Sequence, residues 1–373
     1  MTGESTSLFG DCLPTRRPST GLPPGGRLYT SRVDLADYDY ALPPGAIAQA
    51  PPPSREDARL LVIDRAHGTL TDSRVTELPD LLQPGDCVVV NDSRVIPARV
   101  LAEDADGRPV ELLFLDAETP ARWRALVRPG RRCRPGATLQ VGDARLTVVA
   151  VTDDGARLVE RAGGTVADLL AEHGLPPLPP YIARHAKPEP EDWERYQTVY
   201  AQTPGSVAAP TAGLHLSRPL LEQLHARGVE IHSLTLHVGA ATFRPIKTPQ
   251  IEDHVLPPER AVLSAATADA VNAARAAGRR VVAVGTTATR TLETAAGAHG
   301  RVSPLDGHAT VFLHPGRRFR VVDALLTNFH LPRSSLLVLV AAFAGRELIL
   351  RAYRHALASG YRFYSYGDAT LIT

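Results

Sequence analysis

Five segments in the carboxy-terminal half concentrate side chains that bind ligands or move protons: TAGLH (Thr211 to His215), LHVGAATF (Leu236 to Phe243), VGTTATRTLE (Val284 to Glu293), LLTNFHLP (Leu325 to Pro332) and YSYGDA (Tyr364 to Ala369). Each sets Gly, Thr, Ser, Asn, His or Arg at the end of an apolar run, where a strand hands over to a loop. Such handovers are where α/β folds build their sites. One would mean little, because every α/β protein has several; five predict a single composite pocket and an enzyme. His215, His237 and His330, with Asp253 of the EDH run Glu252 to His254, are the candidates for proton transfer. Ser206, Thr211 and Asn328 offer hydrogen bonds to a ligand, and Gly205 and Gly213 let backbone amides approach one closely.

The strand–Gly–Thr–helix turn of VGTTATRTLE predicts free helix-terminal amides, a seat for an anion or a ribose. Arg290 on that helix could hold a ligand, or pair with Glu293 at its three-residue spacing. Asn328 and His330 share one face of an extended segment. Neither a dinucleotide fingerprint nor a Walker pattern is present, and H-E-x-x-H and G-x-S-x-G are missing too, so zinc proteolysis and serine-triad hydrolysis have no support. Cys12, Cys87 and Cys133 are too far apart for a zinc ribbon or an iron–sulfur cluster. No metal is expected.

The elements that must position these residues follow from composition and periodicity. A chain of 373 residues, 44% hydrophobic, predicts two domains with full cores. Residues 1–33 lack periodicity and read as a disordered tail. Short strand-like runs at Val110 to Leu115, Arg122 to Val127, Ala137 to Val141, Ala144 to Val151 and Ala156 to Glu160 predict a small antiparallel barrel inserted at residues 97–164. It interrupts a discontinuous α/β domain, residues 34–96 plus 165–373, built on a mixed, mostly parallel sheet. In that domain helices are expected over Leu220 to Arg227, Ala265 to Ala277 and Leu336 to Ala344, and strands at Ile231 to Val238, Arg280 to Val284, Phe319 to Leu326 and Arg362 to Tyr366. The longest apolar run, Ser335 to Gly345, is short of the roughly 20 residues that span a bilayer, and the amino terminus has no signal-type segment. A soluble, cytoplasmic chain without membrane partners is expected, and a monomer. Lys187 and Lys247 are the only lysines, so the positive charge is arginine. Arg128, Arg131, Arg132 and Arg134 crowd into one Pro/Gly-broken loop of the barrel, suited to phosphate contacts.

Taken together, NDSRVIPAR (Asn91 to Arg99), PLPPYI (Pro177 to Ile182), ERYQTVYA (Glu194 to Ala201), GSVAAPTAGLH (Gly205 to His215), TLHVGAATF (Thr235 to Phe243), EDH, VGTTATRTLE, VDALLTNFHLP (Val322 to Pro332) and YRFYSYGDA (Tyr361 to Ala369) resemble one family. It is that of the S-adenosylmethionine:tRNA ribosyltransferase-isomerases of queuosine biosynthesis. The likeness runs over about residues 33 to 373 in unbroken order. It implies an α/β protein with an inserted β-barrel, and transfer with isomerisation of the ribosyl part of S-adenosylmethionine onto 7-aminomethyl-7-deazaguanine at the tRNA wobble position. The implied products are epoxyqueuosine, adenine and methionine. No cofactor is implied, since S-adenosylmethionine is the ribosyl donor; the implied partner is tRNA, and the charge of the barrel loop makes Arg128, Arg131, Arg132 and Arg134 the expected contacts of its anticodon arm. Arg94, Arg99, Tyr366 and Asp368, from the same strings, complete the expected substrate contacts. Three positions depart from the usual family residue: Leu216 for Phe, Ala241 for Gly and Thr370 for Met. Leu216 and Ala241 are expected to flank the pocket, which leaves open a free deazapurine or another small amine as acceptor.

Overall fold

The computed structural model describes residues 32–184, 187–239 and 246–373. The expected tail lies outside these residues except for Arg32 and Val33, and Val33 is buried, its amide donating to Glu252. Ala241 also lies outside them.

In chain order, β1 (Arg59–Asp64) and β2 (Thr69–Arg74) form an antiparallel hairpin, and the short helix α1 (Leu78–Leu81) leads to β3 (Cys87–Asn91). The CVVVN of β3 is buried at every position because it is covered on both faces. Cys87 and Val89 join one core layer, Val88 and Val90 the other, as the two-residue period of a strand requires. After β4 (Ser93–Val95) come β5 (Arg99–Asp104), β6 (Pro109–Thr119), β7 (Arg122–Arg128), β8 (Thr138–Val141), β9 (Ala144–Val151) and β10 (Arg157–Arg161). These six close into an antiparallel barrel of order β10-β7-β6-β5-β8-β9. Its apolar interior includes Val100, Leu112, Phe114 and Leu146, and α2 (Val166–His173) adds Val166, Leu169 and Leu170. The arginine turn follows β7.

The chain returns through α3 (Asp192–Arg195) and β11 (Thr203–Ser206), which pairs in parallel with β4. Then follow α4 (Arg218–Ala226), β12 (Glu230–Leu236), β13 (Glu259–Leu263), α5 (Ala265–Ala276), β14 (Val281–Val284), α6 (Gly285–Ala295), β15 (Leu305–Ala309), β16 (Ala324–Asn328), α7 (Ser335–Ala344), α8 (Arg346–Ala358) and β17 (Ala369–Ile372). The nine-stranded sheet has the order β15-β13-β12-β3-β14-β16-β17-β1-β2. Parallel pairing joins β12, β3, β14 and β16 at its centre and also β17 with β1; the remaining pairs are antiparallel. The four central strands therefore end on one edge, at Leu236, Asn91, Val284 and Asn328. No helix among the described residues is long and apolar enough to cross a membrane.

Two sequence expectations need correcting. The strand expected from Phe319 starts only at Ala324, because the amides of Arg320, Val321 and Val322 donate to the Glu293 carboxylate instead of a neighbouring strand. Arg362 to Tyr366 is not a strand: Tyr364 has φ 74°, and Phe363 packs against Phe329 and Tyr353. The carboxy-terminal strand is β17, which the sequence reading did not find.

Candidate active site at the sheet edge

Central strands β12, β14 and β16 deliver three of the motifs to one place, where the 3-10 turn Thr211–His215 and the turn before β17 join them. A narrow pocket of ≈ 50 Å³ at that edge is lined by Thr211 and Ala212, by Val238, by Gly285, Thr286 and Thr287, by Thr327, Asn328 and His330, and by Tyr364 and Ser365. All five segments contribute. Helix α6 starts at Gly285 with φ 91° and has no side chain capping its first amides, so those donors remain for a ligand, beside the hydroxyls of Thr286 and Thr287.

Asn328 organises the pocket. Its Oδ1 accepts from Thr211 Oγ1 at 3.0 Å, and its Nδ2 donates to the Tyr364 carbonyl at 3.2 Å and lies 3.1 Å from His215 Nε2. A carbonyl can only accept, which fixes the amide orientation, so His215 Nε2 is the acceptor and its proton sits on Nδ1. Burial first, then the Arg362 and Arg55 charges, push the His215 pKa down to about 4. Burial also pushes His330 down to about 3, and its Nε2 lies 3.1 Å from Thr327 Oγ1. Both rings are neutral at pH 7. His215 is thus a hydrogen-bonding strut with its basic nitrogen occupied, while His330 faces the pocket.

His237 stands apart. It is half-buried, lines a larger cleft of ≈ 550 Å³ between the barrel and the sheet, and its pKa is lowered by burial and by Arg260, with Asp92 opposing. Its Nδ1 lies 2.8 Å from Ser93 Oγ, which is 2.9 Å from Ser206 Oγ; Ser206 also accepts the Val238 amide at 2.8 Å. Val238 lines both the pocket and the cleft.

Other expected site residues are used by the fold. The Arg290 guanidinium is spent on Glu259 and on the carbonyls of Val311 and Ala309; it neither reaches the pocket nor pairs with Glu293. Asp253 pairs with Arg32 and lines neither the sheet-edge pocket nor the barrel–sheet cleft. Gly213 is close-packed against Tyr200, whose Oη would lie 2.0 Å from an added Cβ, so its close approach is to the protein itself. Asp368 clamps the amides of Arg59 and Arg362 at 3.0 and 2.7 Å. Arg99 is buried at the root of the barrel, 3.1 Å from Glu111, and Arg94 is exposed on β4. Tyr366 donates to Asp192 at 3.2 Å and lines a small cavity behind His215. Leu216 does not flank the pocket: it is buried in the core with Val88 and Val90. Thr370 donates to the Thr327 carbonyl at 3.1 Å. The barrel arginines divide: Arg128, Arg131 and Arg134 are exposed, whereas Arg132 leans on Asp104 at 3.7 Å.

Sequence reasoning placed Thr286, Thr287, Tyr364 and Ser365 inside its site segments, and did not single out Asn91 or Ser93. Asn91 ties β3 to β12 through the Leu236 amide and carbonyl and reaches Thr287 at 3.2 Å. The NDSR string, polar directly after an apolar strand, was the available signal for Asn91 and Ser93.

A family profile described as queuosine biosynthesis protein matches residues 35–372. The chain is 52% identical over 340 residues to the S-adenosylmethionine:tRNA ribosyltransferase-isomerase of Acidithiobacillus ferrooxidans, covering 90% of this chain and 97% of that one. It is 50% identical over 343 residues to the protein of the same name from Moorella thermoacetica, covering 91% and 99%. Among solved structures, the S-adenosylmethionine tRNA ribosyltransferase of Thermotoga maritima is 34% identical, covers 90% of this chain and 100% of its own, and superposes with a TM-score of 0.53. With nearly the whole described chain inside one family profile and half its residues shared with full-length relatives, the chain belongs to the queuosine biosynthesis protein family.

Proposed function

We propose that this chain is an S-adenosylmethionine-dependent tRNA ribosyltransferase-isomerase that moves the ribosyl group onto 7-aminomethyl-7-deazaguanine in tRNA, giving epoxyqueuosine with release of adenine and methionine. The observation that carries the reading is the meeting of five separate polar segments around one edge pocket in a chain of this family. The chemistry needs hydrogen bonds to a sugar, a neutral base and no redox step. Thr211, Thr286, Thr287 and the free amides of α6 supply the first, and histidines held uncharged by burial supply the second. The donor is a substrate, and the reading invokes no cofactor.

The barrel brings exposed arginines for the anticodon arm, and the enzyme works as a cytoplasmic monomer in this reading. Leu216, buried in the core, gives no reason to prefer a free base over tRNA as acceptor. The test is to incubate the protein with S-adenosylmethionine and tRNA carrying the aminomethyl-deazaguanine, then to digest and analyse by mass spectrometry. Epoxyqueuosine and free adenine are expected. Absence of both with authentic substrate overturns the reading, and product from the free base but not from tRNA favours the small-molecule acceptor.

A further inference from the structure

We propose that His237 takes the proton from the acceptor's primary amine in the cleft between barrel and sheet, and that Ser93 and Gly205 are positioning residues that hold its imidazole for that step. The proposal rests on the ribosyl-transfer reading above and assigns the acceptor's place within it.

The space is the first argument. At ≈ 550 Å³ the cleft falls in the range of small-molecule sites, about 300 to 1,000 Å³, and is the roomier of the two beside the ≈ 50 Å³ sheet-edge pocket. Trp123 and Arg124 of β7 and Asp116 of β6 form the barrel wall; Gly205, His237 and Pro258 form the opposite one. The β6–β7 pairing slips register between Phe114 and Asp116 and again between Ala117 and Thr119, at this rim. Bulges at barrel rims re-aim side chains toward sites. Trp123 offers a ring on which a flat base can stack. A base entering here lies on the far side of Val238 from the pocket where Thr286 and Thr287 wait.

The ring is held from two sides. With the Ser93 hydroxyl donating to Ser206, the imidazole proton sits on Nδ1 and donates to Ser93, which leaves the Nε2 lone pair free. Among the described residues Ser93 is the one hydrogen-bond partner of this ring. Gly205 has φ 148°, and the β4–β11 register breaks between Pro204 and Ser206 around it. A Cβ there would lie 2.7 Å from His237 Cε1 and Nδ1 and 2.9 Å from Nε2, so any side chain at 205 would drive the ring from its place.

An alkylamine is an ammonium near neutral pH, its pKa being about 10 as for lysine. It cannot attack carbon until it loses a proton. His237 Nε2 accepts that proton and becomes imidazolium, its Nδ1–H still on Ser93; the freed nitrogen lone pair forms the new N–C bond to the ribosyl carbon as that carbon's bond to adenine breaks, the electron pair leaving with adenine, which takes up the second proton of the attacking nitrogen, while the His237 proton passes to solvent.

The experiment uses the full chain with S-adenosylmethionine and the aminomethyl-deazaguanine tRNA. If the wild type releases no adenine and makes no epoxyqueuosine, the ribosyl-transfer reading fails whatever the variants do. With active wild type, His237→Ala should lower kcat by about 10²-fold or more at unchanged Tm, and added imidazole should restore at least part of it. Ser93→Ala should lower kcat about tenfold with KM for both substrates unchanged, and Ser93→Thr should recover it. Gly205→Ala should match His237→Ala; if it fails to fold, the Ser93 pair and imidazole rescue still decide. With a 5′-dideuterated donor, the isotope effect in His237→Ala should be at or below the wild-type value, because amine deprotonation has become limiting. A larger isotope effect assigns His237 to the donor carbon and overturns the proposal, as does a folded His237→Ala with wild-type kcat or without imidazole rescue.

Discussion

The sheet-edge pocket and the barrel–sheet cleft meet at Val238 and are built on opposite terms. At the edge, the polar groups answer one another: Thr211, Asn328, His215 and the Tyr364 carbonyl close a buried set of hydrogen bonds. In the cleft, His237 is half-buried with Ser93 as its ring's one partner among the described residues, and the charges around it form ion pairs at the surface, Arg124 with Asp116 and Asp154 and Arg260 with Asp306. The difference is one of job. A saturated network fixes shape and suits recognition, whereas a proton carrier needs a free lone pair and a route to water.

The sharpest way to break this contrast is to cut each network once. Asn328→Ala strands the Thr211 hydroxyl, the Tyr364 carbonyl and His215 Nε2, and each buried group left unpaired costs about 1–3 kcal/mol. A loss of about 3 kcal/mol or more in urea unfolding is expected, against less than about 1 kcal/mol for His237→Ala. Equal losses would mean that the two sites do not differ in the way described.

Acid provides the next test. His215 and His330 have folded pKa values near 4 and 3, lowered by burial from the ordinary 6.5. Between about pH 6 and pH 4 the unfolded chain binds protons that the folded chain refuses, so these two contribute stability that is present above about 6.5 and lost as pH falls. Two such groups give a slope of up to about 3 kcal/mol per pH unit in that window. Urea titrations at pH 7, 6 and 5 check it, and His330→Gln should remove about half the slope. An unchanged slope would show that His330 is not held neutral.

Gly213→Ala separates close packing from ligand approach. Its Cβ would collide with Tyr200 Oη, and overpacking of this kind costs about 1–3 kcal/mol. Thermal unfolding should register that loss, while KM for S-adenosylmethionine in protein that remains folded stays near wild type. A raised KM with unchanged stability would return Gly213 to the ligand.

How much of this was legible in the sequence follows from what each residue obeys. Three of the five expected handovers, after Leu236, Val284 and Asn328, were readable because apolar runs ending in Gly, Thr, Asn and His are local patterns and parallel strands end on one edge, whereas TAGLH is a 3-10 turn and YSYGDA leads into β17 instead of leaving a strand. The barrel was readable from short alternating runs, although β5 was not, since RVLAED sits in a string that looks like loop. Partner choice was not readable. Nothing near Arg290 in sequence announces Glu259, 31 residues away, or the Ala309 carbonyl, 19 away. Asp368, expected to contact substrate, likewise clamps the Arg59 amide, 309 residues away. Ser93 was hidden for the opposite reason: its importance lies in His237, which is 144 residues distant.

The smallest effect concerns the barrel and where RNA meets it. Arg128 follows Arg124 by four residues along β7, about 14 Å at 3.4 Å per residue, so the arginine turn lies at the end of the strand away from the cleft. RNA touching both must run along the barrel wall. Arg132 is held by Asp104 and the Pro109 carbonyl, which leaves Arg128, Arg131 and Arg134 as the exposed charges. Each phosphate contact contributes roughly 0.7 to 0.9 to the slope of log K against log salt. Arg131→Ala with Arg134→Ala should therefore flatten the tRNA salt dependence by about 1.4 to 1.8, leave S-adenosylmethionine binding unchanged and leave Tm within a degree or two. Arg132→Ala should act the other way, lowering Tm through the lost Asp104 contact while the salt slope stays put. If Arg132 carries the salt dependence and the exposed pair does not, the RNA path is on the Asp104 side of the barrel and the turn is a solvated face.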